Sequence, residues 1–138
     1  EPTFLSISFS SFCLFQVEQT KEIIDYSAEF RIEWVDPGLR WDTSRFNRSY
    51  VKLKERRIWT PQLSIPMSVS INYGVDPDNR YLVVLYNGTV IQSFNGVFAT
   101  QCKLEVYEFP FDRQRCQINI GPWFHTINEL DIDRVAVE

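Results

Sequence analysis

Between Ile24 and Trp34 the chain alternates without a break. Ile24, Tyr26, Ala28, Phe30, Ile32 and Trp34 are apolar, and Asp25, Ser27, Glu29, Arg31 and Glu33 are polar. A period of two puts successive side chains on opposite faces of a strand, so one face of this segment belongs to a core and the other to water. The run from Phe4 to Phe15 is also strand-like, with a phase shift at Ser10-Ser11 that predicts a bulge. Met67, Val69, Ile71 and Tyr73 alternate with polar neighbours. Tyr81 to Tyr86 faces Thr89-Val90-Ile91 across Asn87-Gly88, a strong hairpin signal. Phe98 to Val106 alternates again, and Ile118 and Ile120 continue the pattern. Turns are predicted at Asp36-Pro37-Gly38, at Asp76-Pro77-Asp78-Asn79 and at Asn95-Gly96, and one helical turn fits within Asp42 to Tyr50. Many short strands with closely spaced turns predict an all-β sandwich or barrel.

The length of 138 residues fits one domain, 1–138, with a core of its own. Eleven Phe, six Tyr and four Trp suit a pleated surface. A net charge of −4 argues against nucleic acid, which needs clustered Lys and Arg. The basic run Lys52 to Arg57 is interrupted by Leu53 and Glu55 and reads as a solvated surface segment. No stretch approaches the ~20 apolar residues of a membrane-spanning helix. The opening run, with four serines and no basic start, does not read as a signal peptide.

Three cysteines, Cys13, Cys102 and Cys116, accompany two glycosylation sequons, at Asn47 and Asn87. Together they point to an oxidising, extracellular setting. A Cys102–Cys116 bridge would tie the feet of two neighbouring strands and contribute about 3 kcal/mol in the chain-entropy view. The short spacing disfavours an antibody-type domain, whose Cys…Trp…Cys spacing is far wider. His125 has no partners at metal-ligand spacing, so no metal or other cofactor is expected. No nucleophile elbow, phosphate loop or catalytic dyad is present, and an enzyme is not expected.

The thirteen residues between Cys102 and Cys116 include Phe109-Pro110-Phe111-Asp112-Arg113-Gln114-Arg115. The pattern Phe-Pro-Phe-Asp-x-Gln-x-Cys closing such a loop resembles the signature of Cys-loop receptors, the pentameric ligand-gated ion channels. Three more stretches resemble the family in order. Trp34 to Trp41 is similar to its W-x-D-x-x-L-x-W, Trp59-Thr60-Pro61 to the start of its W-x-P-D, and Gly121-Pro122-Trp123 to its G-S-W binding loop, nearest to the nicotinic type. The sequence departs from the family at Gln62, where Asp is usual, at Pro66, where a binding-site Tyr is usual, and at Glu29, where an aromatic is usual. The family's amino-terminal helix, tip loop and membrane helices have no counterpart in these 138 residues.

The resemblance implies an immunoglobulin-like twisted β-sandwich, the extracellular ligand-binding domain of a channel subunit at the plasma membrane. It implies a closed homo- or hetero-pentamer and a small agonist, an amine or an amino acid, held between subunits. One face of that site would carry Trp123 and the neighbour's face Glu29 and Arg31, with Phe124 and Pro66 also among the ligand-binding residues. An indole face attracts ammonium groups, and an arginine can take a carboxylate in a bidentate way. The tip Phe109, Pro110, Phe111 and Asp112 would rest on the subunit's own membrane domain and couple binding to the pore. Cys13 would be a free, buried thiol. Trp34, Trp41 and Trp59 are expected in the core. The rival readings are a secreted pentamer without a channel and an adhesion-type sandwich without a small ligand.

Overall fold

The alternating segment forms the centre of the molecule. β2 (Ile23–Val35) buries Ile24, Tyr26, Ala28, Phe30, Ile32 and Trp34 on one face in unbroken period two. A computed structural model of the chain describes residues 3–122 and 129–137, with the side chains of 133–137 left aside. On one side β2 pairs antiparallel with β1 (Thr3–Glu18), and on the other with β7 (Thr89–Gln101). Outside β7 lie β6 (Tyr81–Leu85) and then β3 (Tyr50–Lys54), while β5 (Ser68–Tyr73) pairs with the far half of β7. β9 (Leu130–Val137) runs parallel to β1 and closes the other edge. A second sheet of two short strands, β4 (Leu63–Ser64) and β8 (Gly121–Pro122), completes a β-sandwich.

The core divides in two. Leu5, Ile7, Ile32, Trp34, Leu82, Val84, Val90 and Leu130 form one cluster, covered by Leu63, Ile58 and Ile120. Ile24, Tyr26, Ala28, Phe30, Phe98 and Cys102 form the other, covered by Ile65, Ile118 and Ile120. The residues that follow β3 and precede β8 therefore act as the lid of the large sheet. The opposite face of that sheet carries Glu29, Arg31 and Glu33 and is here termed the outer face.

The bulge at Ser10-Ser11 is present, and it overturns the expected burial of Cys13. Phe9 lies opposite Phe30, but the register slips so that Ser11 meets Glu29, Phe12 meets Ala28 and Cys13 meets Ser27. Opposed residues share a face, and a one-residue slip sends every later side chain to the other side. Cys13 is therefore free, as expected, but exposed on the outer face. Phe12 and Leu14 take the core-side positions instead, and the Phe12 ring stacks on Tyr26 with centroids 5.1 Å apart.

Other expectations need correction. Asn95-Gly96 is not a turn but the middle of β7, because the Asn72 carbonyl of β5 passes only 2.9 Å from where a Cβ on Gly96 would sit. β7 ends at Gln101, so Leu104 to Val106 is not a strand, and Ile118 and Ile120 reach the core from irregular backbone. Trp34 is buried and Trp41 half-buried, but Trp59 stays 47% exposed, its ring meeting Trp34 edge-on. Met67, Val69, Ile71 and Tyr73 are exposed, although Tyr73 packs edge-on against Phe94 and Phe98.

The turns follow the expected chemistry. Asp36 and Asp76 each precede a proline, and each carboxylate accepts the N–H two residues on, opening 3₁₀ turns at Pro37–Leu39 and Pro77–Asn79. Asp42 caps the single turn α1 (Thr43–Phe46) through the Ser44 N–H, and hydrogen bonding from the Ser44 side chain, with this backbone bond second, holds its carboxyl below the usual carboxylate range. The β6–β7 hairpin has a three-residue loop, not two. Val84 pairs with Val90, Gly88 donates to the Leu85 carbonyl, and Gly88 alone takes the left-handed conformation, with φ +87°.

Candidate functional site

β2 places Glu29 and Arg31 on the outer face, flanked by β1 and β7. Glu29 stands opposite Ser11 and Asn95, and Arg31 opposite Ser8 and Ser93. Arg31 Nη2 lies 2.7 Å from Glu33 Oε1, so its charge is already answered two residues along the same strand. Glu29 has no ion-pair partner among the described residues. It lines an open cavity of about 330 Å³ together with Ser11, Ser27, Asn72, Tyr73 and Asn95. Ser11, Ser27, Asn72 and Asn95 bring polar side chains to the face of the Glu29 carboxylate, whereas the Tyr73 ring lies on the core side against Phe94 and Phe98.

Pro66 sits elsewhere. It is exposed in the turn between β4 and β5, closed by the Ser68 N–H donating to the Ile65 carbonyl at 3.0 Å. Two residues earlier Ser64 pairs with Gly121, and its hydroxyl donates to the Gly121 carbonyl at 3.4 Å. The fold thus brings the Pro66 turn beside the strand that leads into Trp123. Trp123 and Phe124 themselves lie outside the described residues, as does His125. The Pro66 turn leads from the lid sheet into β5 of the large sheet, whereas Glu29 and Arg31 face away from the lid, and Pro66 does not line the Glu29 cavity.

At one end of the sandwich Cys102 and Cys116 are bonded, with Cα atoms 5.3 Å apart. The bridge joins the end of β7 to irregular backbone rather than the feet of two strands. Within the loop the Gln114 carboxamide accepts from the Glu105 N–H at 2.9 Å and donates to the Glu105 carbonyl at 2.6 Å and to the Asp112 carboxylate. This brace holds the sides together and projects the tip, whose Phe109–Pro110 peptide is cis. Phe109 and Phe111 are 73% and 87% exposed, so neither ring folds back into the sandwich.

A residue that sequence reasoning missed secures this loop. Glu22, in the β1–β2 turn at φ 54°, accepts the Cys102 N–H on its carbonyl at 2.8 Å and the Leu104 N–H on its carboxylate at 3.4 Å. No motif signals it, since any residue supplies a carbonyl. Asn47 and Asn87 are both exposed, Asn47 at the left-handed end of α1 and Asn87 at the hairpin loop. The Asn87 side-chain oxygen accepts from the Thr89 N–H at 3.0 Å.

The described residues thus form a β-sandwich with a braced disulfide loop at one end. Residues 1–136 match the neurotransmitter-gated ion-channel ligand binding domain, and the chain belongs to that family. It is 29% identical over 134 residues to the rat 5-hydroxytryptamine receptor 3A, covering 96% of this chain and 27% of that protein. It is 26% identical over 138 residues to the Caenorhabditis elegans acetylcholine receptor subunit alpha-type acr-15, covering 97% and 28%. The human neuronal acetylcholine receptor subunit beta-4 is 28% identical over 120 residues, covering 86% and 24%. The chain spans about a quarter of the length of these relatives. They are receptors, not enzymes.

Proposed function

We propose that the chain is the extracellular neurotransmitter-binding domain of a pentameric ligand-gated ion channel subunit, with agonist bound between neighbouring subunits and gating coupled through the disulfide loop. The principal face is formed by Trp123, Phe124 and the Pro66 turn, and the complementary face by Glu29 and Arg31. The supporting observation is their separation: the Pro66 turn follows β4 of the lid sheet, and Glu29 and Arg31 lie on the outer face of the large sheet, turned away from that lid. A ligand touching both sets needs two chains, arranged head-to-tail so that the contact closes into a ring. The agonist is a small amine or amino acid. The domain lies on the extracellular side of the plasma membrane, in keeping with its disulfide and with exposed sequons at Asn47 and Asn87, which carry glycans.

Phe109, Pro110, Phe111 and Asp112 form the coupling surface toward the membrane domain. Agonist shifts the resting–active equilibrium only through its differential affinity for the two states. Agonist binding to the assembled full-length protein tests the reading. Trp123→Ala weakens binding tenfold or more with the ring intact, and unchanged affinity removes Trp123 from the site.

A further inference from the structure

β3 ends the large sheet, and among the described residues no strand pairs with it on the side away from β6. Its hydrogen bonds fix which backbone groups are left over. The Ser49 carbonyl accepts the Tyr86 N–H at 2.9 Å, and the Glu55 N–H donates to the Arg80 carbonyl at 3.1 Å. In an antiparallel pair, residues bonded to the partner strand alternate with residues turned away from it. Ser49, Val51, Leu53 and Glu55 therefore bond toward β6, and the N–H and C=O of Tyr50, Lys52 and Lys54 point out from the free edge. Such a row is a template for stray pairing unless something blunts or covers it. Lys52 and Lys54 guard one half of the strand, but Ser49 to Val51 carries no charge.

That uncharged half borders an open groove of about 650 Å³, lined by Asn47, Arg48, Ser49, Tyr50, Val51 and Lys52. The groove begins at the acceptor of the first sequon. Asn47 is exposed, and its N–H donates to the Thr43 carbonyl at 2.8 Å, which holds the attachment point in place at the end of α1. Two aromatic rings stand beside it in sequence. Phe46, directly before Asn47, is 66% exposed, and Tyr50, which lines the groove, is 53% exposed. A sugar ring suits both features: its C–H face packs on an aromatic face, and its hydroxyls donate to and accept from peptide groups. An oligosaccharide rooted at Asn47 is also held at high effective concentration over the groove, an advantage no free ligand has.

We propose that the N-linked glycan of Asn47 lies in this groove and covers the free edge of β3. Its first sugars bond the Tyr50 and Lys52 peptide groups and pack on the Phe46 and Tyr50 rings. The assignment rests on the extracellular reading above, under which Asn47 is glycosylated, and adds where that glycan goes and what it protects.

The test is amide hydrogen exchange, resolved residue by residue by mass spectrometry, on full-length protein from a glycosylating host and on its Ser49→Ala variant. The variant loses the Asn47 sequon and keeps the one at Asn87, and the Ser49 bond to β6 remains because it runs through the carbonyl. In the variant the Tyr50 and Lys52 amides should exchange at least tenfold faster, while Val51 and Leu53, bonded to β6, are unchanged. Should all four amides speed up together, the strand itself has loosened, and enzymatic removal of the glycans from the wild-type protein decides by the same two amides. Equal exchange at Tyr50 and Lys52 with and without the Asn47 glycan overturns the proposal and leaves the extracellular reading standing. A wild-type chain whose Asn47 is unmodified overturns the glycan assignment itself, and the covered edge with it.

Discussion

The Cys102 N–H donates to the Glu22 carbonyl at 2.8 Å, which fastens the base of the disulfide loop to the turn between β1 and β2. β2 starts at the next residue, Ile23, and carries Glu29 and Arg31 on the same continuous strand. About 20 Å of strand therefore joins the proposed ligand face to the loop, at ~3.3 Å per residue. A strand paired on both sides moves as a unit, which makes β2 the natural link between the two.

The loop tip supplies the first prediction. Phe111 is 87% exposed and touches no part of the core, so Phe111→Ser should leave folding unchanged. In the full-length receptor, agonist affinity should stay within a few-fold while the maximal channel response falls sharply. Normal gating in that variant contradicts a coupling role.

The thiols supply the second. Cys13 should react with a maleimide in the native, unreduced protein at one equivalent per chain, because it is free and exposed. Cys13→Ser should change stability by less than about 0.5 kcal/mol, whereas replacing Cys102 and Cys116 together should cost roughly 3 kcal/mol. Native protein that resists labelling contradicts the outward orientation of Cys13.

Glycine positions supply the third. Gly88 has φ +87°, and a Cβ there would meet the Asp36 carbonyl at 2.5 Å, while a Cβ on Gly121 meets nothing within 4 Å. Gly88→Ala should lower stability by about 1–3 kcal/mol through left-handed strain and the clash. Gly121→Ala should be nearly neutral. Thermal melts of the two variants make the comparison, and equal melting points contradict it.

Much of this fold is legible in the residues, and the misses have physical causes. β2 reads correctly along its length because one face is buried and the other wet throughout. The disulfide loop reads correctly because its motif is local in sequence. Cys13 is misplaced because the bulge at Ser10 inverts the faces of the residues from Ser11 to Leu14, until a second slip before Gln16 restores them, which a phase shift announces but a residue-by-residue reading overlooks. Asn95-Gly96 has the composition of a turn. Gly96 is needed instead for the close approach of β5, a long-range contact that local sequence cannot signal. Of the site, Glu29 and Arg31 were visible as the polar face of β2. The commitment of Arg31 to Glu33 was not, since neighbours two apart on a strand share a face without having to pair.

The core polar pair supplies the fourth prediction. The Tyr26 and Thr100 hydroxyls lie 3.1 Å apart in the interior. Burial pushes the Tyr26 phenol above its ordinary value of 10, and the Thr100 bond opposes this in part. The folded state therefore keeps its proton where the unfolded chain loses it. This stability is complete below pH 10 and declines as pH rises above it. Tyr26→Phe should flatten that alkaline decline and, at neutral pH, cost about 1–2 kcal/mol for leaving Thr100 unpaired. Denaturant melts at pH 8 to 11 check both, and an unchanged alkaline slope contradicts the assignment.

The central claim is that one binding site draws on two chains, and mixed assembly tests it most directly. Trp123→Ala disables the principal face and Glu29→Lys the complementary face, and each alone should reduce agonist binding at least tenfold in an assembled ring. Co-expressed, the two variants should recover a fraction of high-affinity sites, because some interfaces then join an intact Trp123 to an intact Glu29. High-affinity binding that returns in mixed rings is the result this account predicts. Mixed rings that bind no better than either variant alone would place both residues in one chain's site and contradict it.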